Sequence, residues 1–242
     1  MPGRIRKKFV RPLYLLSFAI LTLSFAFRFG EVSGTVAISS DSEKSEGNEF
    51  QAGEWGEEEA DDKFYLMISE VYYNPSDGDN FEFIKLYNPT SDDIDLFKEA
   101  YKLGDEEKEG DGEGMYEFPS GAIIKATNYL IIARKAAAFK DAFEISPDFE
   151  WVESDTAVPN MKKYTSWAGG YMDLANSGDE VLLLDKENKT IDVVTYGSGS
   201  YSGVISHTNP SGPGNSLLRI PKDEDTNDCS VDFFAGNPTP GI

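Results

Sequence analysis

The chain has 242 residues, enough for one or two domains, and holds 43 Asp and Glu against 22 Lys and Arg, a formal charge of -21. That balance disfavours DNA, RNA and anionic lipid headgroups as partners. It suits cationic partners, divalent ions or plain solubility. The lone cysteine, Cys229, excludes an intrachain disulfide and any cysteine-based metal knuckle.

The N-terminus reads as an export signal. Six bases, Arg4, Arg6, Lys7, Lys8, Arg11 and Arg28, fall in the first 30 residues, which contain no acid. They flank a 15-residue apolar run, Leu13 to Phe27, the length of a signal core and short for a membrane span. Ser24-Phe25-Ala26 and Thr35-Val36-Ala37 offer small residues for cleavage. Residues 1–37 are therefore expected to be a signal peptide or signal anchor, with the remainder outside the cell. Retention of this segment is the only expected link to a membrane.

Residues 38–62 are expected to be a disordered acidic linker. Like charge and low hydrophobicity there cannot offset chain entropy, as in Glu57-Glu58-Glu59-Ala60-Asp61-Asp62. The scarcity of glutamine (only Gln51) beside abundant Glu and Lys is a thermophile-like bias.

From Lys63 the pattern becomes short β-strands. Lys63–Tyr73 forms a first strand region. Phe81–Tyr87 carries bulk on both faces, as expected of a strand with little solvent on either side. Short strands are predicted at 92–96, 101–103, 116–119, 122–124 and 129–133, with a mobile acidic loop at 104–114. Residues 135–143 are the best helix candidate, because Phe139 and Phe143 lie four apart on one face. Residues 147–169 read as irregular. Glu180–Asp185 and Thr190–Tyr196 form a hairpin across Lys186-Glu187-Asn188-Lys189. A Gly/Ser/Pro loop at 197–215 precedes a last clear strand, 216–220, and a tail, Asp225 to Ile242.

Candidate chemistry is sparse. His207, the only histidine, has Ser200, Ser202 and Ser206 nearby, but no nucleophile-elbow pattern surrounds them, so a loop histidine is the better reading. Carboxylate pairs suited to glycosidase-type work arise by chance among 43 acids. Calcium has two candidate loops: Asp77 and Asp79 in Ser76-Asp77-Gly78-Asp79-Asn80, and Asp225 and Asp228 in Asp223–Asp228. Neither fits the twelve-residue EF-hand pattern, and the same residues make turns without metal. Asn188-Lys189-Thr190 is a glycosylation sequon at the hairpin tip. Tyr164, Trp167, Tyr171 and Tyr201 form either a contact surface or a cover over the core.

Three blocks in order resemble the lamin tail domain family in its prokaryotic exported form. They are Ile68-Ser69-Glu70-Val71 through Asn88-Pro89-Thr90 and Ile94-Asp95-Leu96; Leu174-Ala175-Asn176-Ser177-Gly178-Asp179 with Asp192, Val194 and Tyr196; and Ser216-Leu217-Leu218-Arg219, Asp225-Thr226, Asp232-Phe233 and Thr239-Pro240-Gly241. The resemblance implies an immunoglobulin-like β-sandwich over 63–242 with no catalytic residues of its own. Phe83 stands where such strands usually carry Trp, and Lys85 where they usually carry Glu. Lamins use the domain on nucleic acid and protein, but the acid excess argues against carrying nucleic acid over. The expectation is a non-enzymatic, exported or cell-surface module that binds protein or glycan through loops and needs no cofactor. The alternatives are a calcium-dependent structural domain and a carboxylate-based hydrolase accessory.

Overall fold

The structure is a computed structural model that describes residues 66–110, 112–208 and 212–241. The expected signal or anchor (1–37), acidic linker (38–62) and first residues of the domain lie outside them. Among the described residues no helix is long and apolar enough to cross a membrane.

The chain builds β1 (Met67–Tyr72), β2 (Phe83–Tyr87), β3 (Ile94–Asp95), β4 (Lys102–Gly104), β5 (Met115–Glu117), β6 (Ile123–Ile124) and β7 (Tyr129–Ala133). Helix α1 (Ala136–Phe143) follows, then β8 (Phe149–Glu150), β9 (Lys162–Lys163), β10 (Gly178–Leu184), β11 (Thr190–Gly197) and β12 (Ser216–Arg219). The short helix α2 (Cys229–Asp232) and β13 (Phe233–Gly236) close it. One sheet has the order β13-β12-β1-β2-β7-β8, the other β11-β10-β4-β5-β9, and β3 pairs with β6 beside them. This is the all-β, immunoglobulin-like sandwich that the period-two segments predict.

The core lies between the sheets. Ile68, Val71, Ile84, Leu86, Ile132 and Leu217 of the first meet Leu103, Tyr116, Val181, Leu183, Val194 and Tyr196 of the second. Each fully buried Leu, Ile, Val or Phe contributes about 1.5–3 kcal/mol. Tyr73 and Tyr196 stack across this core with ring centroids 3.9 Å apart. Every residue of β2 is buried, because Phe83 turns to the opposite face and packs with Tyr72, Ile131 and Phe139.

Helix α1 supplies that second cover. Phe139 and Phe143 both meet Phe83 edge-on. Lys135 makes no side-chain cap at its N-terminus. Glu150 does so from β8, its Oε2 accepting the Ala136 N–H at 2.7 Å. The hairpin tip is an Asx-type turn. Asp185 Oδ1 accepts the N–H groups of Glu187 and Lys189, and Asn188 sits at φ 62°, which Asn tolerates better than most residues.

Three expectations need correction. The 147–169 region contains β8 and β9, and the segment 216–220 is not the last strand, because α2 and β13 follow it. These elements have two to four residues, too few to print a periodicity. The acidic 104–114 loop was expected to be mobile, yet Asp105 and Glu106 are buried. Their carboxylates accept the N–H groups of Gly112, Glu113 and Gly114, so the loop folds around its own acids.

Candidate functional site

The motifs that carry the family resemblance resolve into internal fasteners. Asp192 on β11 receives both Nη2 contacts of Arg219 on β12, at 2.6 and 2.7 Å, and the Ile68 N–H of β1 at 2.6 Å. Arg219 Nε donates to Ile68 O, so one buried ion pair ties the two sheets together. Asp225 accepts from Arg219 Nη1 at 3.3 Å, and Asp232 accepts from the Thr226 N–H and hydroxyl. A second fastener joins Glu70 and Lys85 to Thr239 of the Thr-Pro-Gly close. A third is Asn88, fully buried, whose amide donates to the carbonyls of Asp92, Ile124 and Lys125.

A different set of acids gathers where the 79–82 turn, the 105–114 loop and the 171–180 segment meet. Asp105 Oδ2 accepts the Asp173 N–H at 2.7 Å. A Cβ on Gly114 would lie 2.1 Å from Met172 N, so only glycine lets these backbones approach. Asp79, Glu82 and Asp173 each offer a carboxylate oxygen, all within 4.8 Å of one another, and Glu107, Glu113 and Glu180 do the same. Arg134 Nη1 donates to Glu82 Oε2 at 3.0 Å and also to Asp173.

The electrostatics follow from burial. Burial pushes the Glu82 carboxyl up to about 8 against the pull of Arg134, with Asp79 and Asp173 adding to the rise. Burial takes Asp105 up to about 8 and Asp179 to about 6, in both cases against backbone N–H donors that stabilise the anion. Glu180 rises to about 7 through burial and the charges of Asp179, Glu107 and Glu113. Such a cluster attracts positive charge, whether a proton, a guanidinium or a metal ion.

Among the described residues, Glu82 Oε1, Arg134 Nε and the Tyr196 hydroxyl are buried without a hydrogen-bond partner, and all belong to residues coupled to this cluster. Glu82 and Asp179 both raise the Tyr196 hydroxyl pKa, behind the larger effect of its burial. Unpaired buried groups of this kind are rare, and each calls for an explanation such as strain, a catalytic role, a water or an ion.

The sequence-predicted site residues separate. Asp79 enters the acidic cluster, while Asp77 stays on the exposed turn outside it. Asp225 faces Arg219, and Asp228 caps α2 by accepting the Ser230 N–H at 3.0 Å. Among the described residues neither joins a group of three acids close enough to share an ion. Asn188 is half-buried, and its amide nitrogen donates to the Tyr164 hydroxyl at 3.3 Å. His207 is buried, its N–H bonded to Thr195 O. The Ser206 hydroxyl donates to Gly199 O and lies 2.9 Å from Thr195 Oγ1, while Ser200 and Ser202 are exposed. Tyr164, Trp167 and Tyr201 cover a small apolar cluster of Met115, Leu182, Leu184 and Val193 on the outer sheet face. Tyr171 alone of the four is exposed, at 70%, with Lys163 Nζ 3.0 Å from its ring centroid.

Sequence reasoning missed Glu82, Arg134, Asp173 and Glu180. The available signal was Glu82 itself, an acid between two phenylalanines at the entry of a strand buried on both faces. Such an acid must find a partner.

Fold and fasteners together define an immunoglobulin-like sandwich whose motif residues hold loops and sheets in place. The family model for the Lamin Tail Domain matches residues 59–198, and the chain belongs to that family. A search of solved structures returns the crystal structure of a DUF4876 family protein from Bacteroides thetaiotaomicron. It has a TM-score of 0.51 and 16% identity and covers 72% of each chain, a likeness of fold alone. No curated protein matches the sequence.

Proposed function

We propose that the chain is an exported, non-catalytic interaction module that meets a protein or glycan partner through its loops. Membership of the lamin tail domain family supports the interaction-module reading. The observation that carries the loop assignment is Tyr171. It is a 70%-exposed aromatic on the backbone-packed segment beside the acidic loops, where the other three loop aromatics are taken up as core cover. An exposed tyrosine on a rigid support, next to a surplus of carboxylates, suits a partner with cationic or hydroxyl-rich groups. The basic, apolar N-terminus supports export, with attachment to the membrane through that segment alone where it is retained. The acid excess disfavours nucleic acid.

Two measurements test this reading. Labelled full-length protein is incubated with the producing cells. Saturable retention that falls roughly tenfold in Tyr171→Ala supports it, and equal retention of the two moves the contact elsewhere. A reporter fused after residue 62 is expected to be active outside the cell, and cytoplasmic activity removes the export claim.

A further inference from the structure

Asp79, Glu82 and Asp173 come from the turn before β2 and the segment before β10, and no shared element brings them together. Asp79 and Asp173 are exposed, whereas Glu82 is fully buried. Arg134 holds Glu82 Oε2, which leaves Oε1 buried with no hydrogen-bond partner in a place shared with two further carboxylates. With all three carboxylates ionised, one guanidinium leaves a surplus of two negative charges. A single divalent cation cancels that surplus, whereas a water molecule would pair the orphaned oxygen and leave it standing.

We propose that Asp79, Glu82 and Asp173 form a binding site for a hard divalent cation of the calcium class, which ties the 79–82 turn to the 171–180 segment.

The donor set selects the class. All three ligands are carboxylate oxygens, without His or Cys, so zinc and other softer metals are disfavoured. The three oxygens all lie within 4.8 Å of one another, close enough to share one ion at calcium's bond length of about 2.4 Å, and calcium sheds its water more readily than magnesium. The exposure of Asp79 and Asp173 leaves room for water in the remaining coordination positions. Asn176, whose amide nitrogen lies 3.5 Å from Asp79 Oδ1, lies at the rim. Arg134 stays in place as the positioning residue that fixes Glu82. The inference stands apart from the partner reading: Tyr171→Ala tests the partner and leaves all three ligands intact.

The test is calorimetric titration of chelator-stripped, full-length protein with calcium chloride, repeated with magnesium chloride. One saturable calcium site is expected, with magnesium at least roughly tenfold weaker. Asp79→Asn and Asp173→Asn each weaken calcium roughly tenfold or more; both are surface substitutions, so the fold survives them. Glu113→Gln, in the neighbouring acidic group, leaves the affinity unchanged. Absence of saturable heat at millimolar calcium overturns the proposal, as does wild-type affinity in the two Asn variants. Loss confined to Glu113→Gln also overturns it, because the ion then belongs to Glu107, Glu113 and Glu180.

Discussion

Glu70 and Lys85 are cross-strand partners on β1 and β2, and Lys85 Nζ lies 2.9 Å from Glu70 Oε2 with both side chains buried. Thr239 completes the arrangement. Its N–H donates to Glu70 Oε1 and its hydroxyl to Glu70 Oε2, both at 2.8 Å, while its carbonyl accepts from Lys85 at 2.5 Å. The chain's last stretch is thereby fastened to the first two strands of the domain. Lysine at position 85, a departure from the usual glutamate, acquires its physical reason here: the acid already stands opposite, at position 70, and a second one would repel it.

Removal of the Thr239 hydroxyl takes one donor from a buried carboxylate. Thr239→Val is expected to lower stability by about 1–3 kcal/mol, read from urea unfolding. Lys85→Met, which leaves Glu70 without its counter-charge, should cost more, about 3–5 kcal/mol. If Lys85→Met matches wild type, the Glu70–Lys85–Thr239 arrangement is ornamental.

The sheet-to-sheet pair gives a second expectation. Arg219→Met leaves Asp192 buried and uncompensated and should cost about 3–5 kcal/mol. Asp192→Leu combined with Arg219→Met should recover much of that loss, because two apolar side chains carry no unpaired charge into the core. A double-mutant cycle reports the coupling, and additive losses would contradict it.

The acidic cluster sets a pH dependence. Glu82, Asp105, Asp179 and Glu180 have folded pKa values of about 8, 8, 6 and 7, all above their ordinary ones. The folded state therefore binds more protons than the unfolded chain between about pH 4 and pH 8. Their contribution is fully present at the acidic end of that window and is lost as the pH rises through it. In chelator, thermal midpoints should fall from about pH 5.5 to pH 8, and Glu82→Gln should flatten part of that slope. A Glu82→Gln profile parallel to wild type would remove Glu82 from the account.

Charge also governs nucleic acid. Full-length protein is expected to leave duplex DNA unshifted at physiological salt, measured by gel mobility. A salt-sensitive shift would show a basic surface that 43 acids against 22 bases do not suggest.

Much of the fold was legible because sheet strands repeat every two residues. The 180–185 and 190–196 segments and their turn stand in the structure as β10, β11 and the Asn188 turn, with ends shifted by one or two residues. Helix α1 was visible through Phe139 and Phe143. The two-residue strands β8 and β9 were not, since their pairing depends on neighbours rather than on their own pattern. The candidate site was almost wholly hidden. Positions 79, 82, 134 and 173 meet only after folding, and an abundance of acids conceals which few lose their water. Asp77 and Asp225 drew notice through local Gly and Asn neighbours, which encode turn chemistry.

The Asp192–Arg219 contact also bears on how this module can be inherited or transplanted. The family match ends at residue 198, before Arg219, β12 and β13. A shorter copy ending there would strand an anion inside the sandwich and expose the flank of β1 that β12 now occupies. Recombination or gene fusion can therefore move this unit intact only with its final stretch, through Thr239, carried along.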